Sequence, residues 1–142
     1  MLRRFWVLPL FVLASCQPAA PKVEIRDAWA RATAAGQSTG AVYATMSNSG
    51  AQDRLVEAST TRAAMAMIHT NDTSGGMARM RMLDGLDVPA NGTAELKPGG
   101  THIMLEGLAK PLVAGEKFDL RLRFEKSGDR IVQVGVVAPG ER

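Results

Sequence analysis

Cysteine is nearly absent. Of 142 residues only Cys16 is a cysteine, so no disulfide can form within the chain and its stability must come from a packed core. Histidine is as scarce, with His69 and His102 the only two. No apolar run approaches the roughly 20 residues that a membrane-spanning helix needs. A dominant charge is also missing: 17 basic residues stand against 14 acidic ones. Setting aside Arg3 and Arg4 at the N-terminus leaves 15 basic residues against 14 acidic. Such a near-neutral balance offers no basic face for nucleic acid. The marks of common enzymes are wanting too. There is no His-Glu-x-x-His helix and no serine nucleophile elbow. Pro98-Gly99-Gly100 lacks the Lys-Ser/Thr of a phosphate loop. The chain is not expected to be an enzyme.

The N-terminus reads as targeting rather than fold. Arg3 and Arg4 form a positive region, Phe5 to Val12 a short apolar one, and Leu13-Ala14-Ser15-Cys16 follows. This order resembles the lipobox of bacterial lipoproteins. It implies a signal peptide over residues 1–15 and lipidation of Cys16, with the chain outside the cytoplasm and held to a membrane by its lipid alone. Gln17, rather than Asp, follows the cysteine; by resemblance to Gram-negative sorting rules this favours the outer membrane. Residues 16–22, rich in Pro and Ala, are expected to be the lipidated cysteine and a short extended tether. Residues 23–142 contain no repeat, low-complexity run or second linker and are expected to form one domain.

Within that domain the hydrophobic period is two. Phe118, Leu120, Leu122 and Phe124 alternate with Asp119, Arg121 and Arg123. Val132, Val134 and Val136 repeat the pattern, as do Val42, Ala44 and Met46. Turn signals separate these runs: Asn48 to Gly50, Thr73 to Gly76, Asn91-Gly92, Pro98 to Gly100 and Lys126 to Gly128. Short strands at this spacing predict an all-β domain, an antiparallel sandwich or barrel.

Against two histidines stand eight methionines. Seven follow the signal region: Met46, Met65, Met67, Met77, Met80, Met82 and Met104. Thioether sulfur is a soft, neutral ligand that suits Cu(I), and it cannot be lost to a disulfide. In His102-Ile103-Met104, imidazole and thioether fall on one face of a strand, while Ile103 and Leu105 point to the other. Met65, Met67 and His69 likewise share one parity, with Ala64, Ala66 and Ile68 on the other. Met80 and Met82 share a face opposite Arg79 and Arg81. Taken singly, each methionine is an ordinary core filler and each histidine an ordinary hydrogen-bonding residue.

The intervals are more specific. His69 is followed by ten residues and Met80, then by twenty-one residues and His102-x-Met104. This array resembles the signature of the periplasmic copper chaperones of the PCuAC family. Asp27-Ala28-Trp29-Ala30-Arg31, Asp53-Arg54-Leu55 and Leu96 to Leu105 agree with it, and the resemblance covers roughly Val23 to Val137. One departure is Ile68, where the family often has Met. The resemblance implies a cupredoxin-like, Greek-key β-sandwich. It implies a solvent-accessible Cu(I) site with His69, Met80, His102 and Met104 as ligands. It also implies delivery of copper toward the CuA centre of cytochrome c oxidase, through subunit II of the oxidase or an intermediate thiol chaperone.

Other readings make distinct demands. A blue-copper electron carrier needs a cysteine thiolate beside two histidines, and Cys16 sits in the lipobox, far from both in sequence. Copper oxidases need more imidazole than two histidines provide. Storage or detoxification would use Met65, Met67, Met77 and Met82 as a secondary metal site; core and rim packing is the plainer expectation for these four. An adhesion or structural β-domain would leave every His and Met incidental.

Overall fold

The computed structural model describes residues 19–142; Cys16, the lipobox and the expected signal peptide lie outside them. The described chain is all strand and turn: β1 (Val23–Arg31), β2 (Thr39–Asn48), β3 (Asp53–Ser59), β4 (Ala63–Asp72), β5 (Arg79–Met82), β6 (Leu86–Val88), β7 (Gly92–Leu96), β8 (His102–Leu108), β9 (Lys117–Phe124) and β10 (Gly128–Val137). The alternating runs become strands because period two puts one side of each inside. β9 is strictly alternate, with Phe118, Leu120, Leu122 and Phe124 buried and the intervening charged residues exposed.

The strands join in the order β5-β4-β8-β2-β1-β10-β9-β3-β6, with β7 on β2. A further pairing of β3 with β4, at Ala58 and Ala66, closes the sheet into a barrel. The expected antiparallel pairing holds throughout the described residues except between β1 and β10, which run parallel. Met46, Leu55, Ile103, Leu105, Leu112, Leu120, Leu122 and Phe124 fill the interior. Each such side chain contributes roughly 1.5–3 kcal/mol by leaving water.

Two irregularities shape the outer face. In β1 the register slips between Arg26 and Trp29, and Asp27 takes a left-handed φ of 49°. One extra residue there inverts the alternation, so Val23 and Ala30 are both buried although their parities differ. Trp29 is thereby turned outward. The second irregularity lies beside β2, which pairs with β8 over Thr39 to Val42 and with β7 over Ala44 to Asn48. β7 and β8 thus run along one edge of β2, and Lys97 to Thr101 loops out between them. That loop is closed by Lys97 N–H donating to Thr101 O at 2.8 Å, and Gly99 adopts the positive φ, 75°, that its turn requires.

Two buried polar side chains tie turns together. Asn48 accepts from the N–H groups of Lys22 and Gly50, both at 3.0 Å, and donates to Ala51 O at 2.7 Å and Pro89 O at 3.2 Å. Asp53 accepts from the N–H groups of Arg54 at 2.8 Å, Lys126 at 2.9 Å and Ser127 at 3.0 Å. Burial alone raises this carboxyl, but Ser127 and the backbone N–H groups of Lys126 and Arg54 more than reverse it. Its pKa lies below the ordinary carboxylate value.

Candidate metal centre

β8 lies between β2 and β4, and the register of these strands assembles the candidate donors on the outer face. Ile103 and Leu105 are fully buried, so His102 and Met104 point away from the core. On β4, Ile68 is buried and His69 and Met67 take the opposite side. His69 is paired with His102, and Met67 with Met104. The two imidazoles stand edge to face, ring centroids 6.2 Å apart at 70°. On its other side His69 is paired with Met82 of β5, while Met80 is paired with Asn71, two positions further along β4. Side chains directly opposite in such pairs have Cβ atoms about 4.5–5.5 Å apart.

The two histidines differ in their own support. His102 is 5 % exposed, and its Nδ1–H donates to Gly100 O at 3.0 Å. A carbonyl can only accept, so this bond leaves the lone pair on Nε2, free for a ligand. The looped segment before β8 therefore orients the ring, and Thr101 Oγ1 bonds Thr70 Oγ1 at 3.1 Å to brace that loop against β4. His69 is half-buried, and its Nδ1 is buried with no hydrogen-bond partner among the described residues. An orphaned buried ring nitrogen suits a metal ligand.

Both predicted histidines and Met104 thus meet on neighbouring strands, with Met80 on the adjoining hairpin, 52 % exposed. The donor types are imidazole and thioether. No group of three or more His, Cys, Asp or Glu able to hold a metal occurs among the described residues. The packing expected of Met65, Met77 and Met82 is not what the fold does with them. All three are exposed, because Met82 lies on the edge strand β5, Met77 in the turn before it, and Met65 on the outer face of β4. Met67 is half-buried. Met46 is fully buried in the core.

Sequence reasoning missed two residues of this face. Tyr43 sits beside His102 with ring centroids 6.3 Å apart, and Trp29 packs on Tyr43 at 4.5 Å. The guanidinium groups of Arg31 and Arg142 lie 5.9 and 5.8 Å from the Trp29 ring. The parity of Tyr43, opposite Val42 and Ala44, was the available signal for it. For Trp29 the available signal was its place in the Asp27-Ala28-Trp29-Ala30-Arg31 segment, and the bulge is what turns it outward.

A family model described as "Putative lipoprotein LpqE-like" matches residues 23–136. A curated relative, "Putative lipoprotein Lxx21020" of Leifsonia xyli subsp. xyli, is 35 % identical over 116 residues, spanning 80 % of this chain and 69 % of its own. Among solved structures, the copper-bound PCuAC domain from PmoF2 superposes with a TM-score of 0.72 at 25 % identity, covering 83 % of this chain and 94 % of its own. The Cu(I) form of DR1885 from Deinococcus radiodurans gives a TM-score of 0.62 at 30 % identity, covering 92 % and 85 %. The cupredoxin-like fold expected from the sequence is therefore met. With the family model spanning nearly the whole described domain, the chain belongs to the LpqE-like family and is a member of the PCuAC group.

Proposed function

We propose that this protein is a periplasmic copper chaperone that binds one Cu(I) through His69, Met80, His102 and Met104 and gives it up to a partner. The observation that carries this reading is the His69–His102 pair. Its rings are 6.2 Å apart, one Nδ1 is tied to Gly100 O, and the other is buried without a partner among the described residues. Copper-bound structures of similar domains support it. Neutral imidazoles and thioethers leave the charge of Cu(I) uncompensated, so an acceptor offering thiolates can outcompete them. The CuA centre of cytochrome c oxidase, reached through subunit II or an intermediate thiol chaperone, is the proposed destination. The lipoprotein names of the family and its relative support an anchor at Cys16 and a place outside the cytoplasm.

The test is anaerobic titration of Cu(I) into the protein in competition with a chromophoric Cu(I) chelator, beside a His102→Ala/Met104→Ala variant. Uptake of one equivalent that collapses in the variant is expected. Equal behaviour of the two proteins would sink the reading. Uptake of two or more equivalents would instead favour storage, the function that the exposed Met65, Met77 and Met82 would serve.

A further inference from the structure

We propose that Met67, His69 and Met82 form a second, three-donor Cu(I) position that shares His69 with the four-donor set and serves as the exit step of transfer. This rests on the four-donor reading above. Register is the first ground. Met82, not Met80, stands directly opposite His69, and Met67 lies two residues before His69 on the same face, directly opposite Met104. Met67 and Met82 are thus diagonal neighbours about His69, within reach for side chains of this length.

The second ground is the cavity. Met67 and Met82 together line a groove of about 220 Å³ beside β4, where β3 and β5 adjoin it. Glu57 and Asp84 line the same groove. Glu57 is ion-paired with Arg123, so among the described residues of the groove Asp84 is the carboxylate left to offset the single positive charge of Cu(I), which the thioethers and imidazole cannot do. Met82 is 61 % exposed, so an ion held on it is open to an incoming ligand.

The third ground is the asymmetry of the histidines. His102 is held by Gly100 O and stays with the four-donor set. Nothing among the described residues bonds His69 Nδ1, so this ring can remain the shared ligand while the ion shifts. In the step, a bond from Cu(I) to Met82 Sδ forms as the bond to Met80 Sδ breaks. A bond to Met67 Sδ then forms as those to Met104 and His102 break. Copper stays Cu(I), and no electron or proton moves.

The experiment follows Cu(I) loss from the full chain to a small dithiol chelator by stopped flow. It compares the wild type with Met82→Leu, Met67→Leu/Met82→Leu, and Met65→Leu/Met77→Leu as a control pair. Leucine keeps volume and removes only the donor. We expect the Met67/Met82 double variant to take up one equivalent and to release it about tenfold more slowly, a barrier about 1.4 kcal/mol higher. Met82→Leu alone, at an exposed site, should show part of the same slowing. The control pair should match the wild type. Wild-type release rates in both Met82 variants would overturn the exit position and leave the four-donor site standing. Two equivalents bound by the wild type would overturn the sharing of His69. No uptake by the wild type would overturn both proposals.

Discussion

His69 and His102 face each other across β4 and β8, yet only one of their Nδ1 atoms is hydrogen-bonded among the described residues, that of His102 to Gly100 O. The loop before β8 pre-sets one imidazole. The other imidazole holds a buried nitrogen with no hydrogen-bond partner among the described residues. An unsatisfied buried polar atom costs about 1–3 kcal/mol, so the copper-free protein carries this cost at its site.

A first prediction follows from that cost. His69→Leu should stabilise the copper-free protein by about 1 kcal/mol, because it removes the unpaired nitrogen and keeps the volume. The same change should abolish tight Cu(I) uptake. Urea denaturation of the copper-free forms reads the first effect and chelator competition the second. A destabilised His69→Leu protein would mean that Nδ1 is satisfied in solution.

Tyr43 is 9 % exposed and lies between Trp29 and His102. Tyr43→Ala should cost about 3–5 kcal/mol of stability, the range for truncating a large buried ring. Tyr43→Phe should cost little, since it keeps the ring that packs between Trp29 and His102. If the ring also steadies His102, Tyr43→Leu should weaken Cu(I) binding about tenfold while the domain remains folded. Unchanged affinity would reduce Tyr43 to a packing residue.

The bulge in β1 supplies a third. Asp27 holds φ at 49°, a conformation that Asp tolerates and β-branched residues do not. Asp27→Val should therefore destabilise by about 1–3 kcal/mol, and Asp27→Gly should be close to neutral. Deleting Asp27 should be tolerated better than Asp27→Val, because without the extra residue Arg26 opposite Thr45 and Trp29 opposite Tyr43 fall in one continuous register and Trp29 stays outward. Denaturation midpoints of the three variants give the order.

The faces of β4, β8 and β9 were legible in the sequence, because alternation is a local property and Ile68, Ile103 and Phe118 each mark the buried side. His102 and Met104 on one face followed at once. Which strands adjoin was not legible, since β4 pairs with β8 across more than thirty residues of sequence, and no local pattern encodes that. The place of Met82 opposite His69 depends on the register of the β4–β5 hairpin, set by the turn at Thr73 to Gly76. The outward Trp29 depends on a bulge whose only trace is an Asp in a left-handed conformation. Asn48 read as a turn residue and Asp53 only as part of a segment resembling the family, and their burial arises because each satisfies the backbone of a second, distant turn.

The pH dependence of stability should show Asp53. Its folded pKa is lowered from 3.8, so near that pH the unfolded chain binds the proton more readily than the folded one. Stability then rises with pH through this window. The contribution is complete above the unfolded value, and it is lost as pH falls through 3.8 toward the lower folded value. Asp53→Asn keeps the size but has one oxygen where the backbone N–H groups of Arg54, Lys126 and Ser127 now converge on two. We expect it to cost about 2 kcal/mol at pH 7, as for an unmade bond to a buried charged group. The difference between wild type and variant should shrink as the pH falls through 3.8. Denaturant midpoints measured from pH 7 down to about pH 2.5, well under the unfolded carboxyl value, supply the curve. A difference that stays constant over this range would show that the loss at pH 7 comes from packing and not from the charge of the carboxylate.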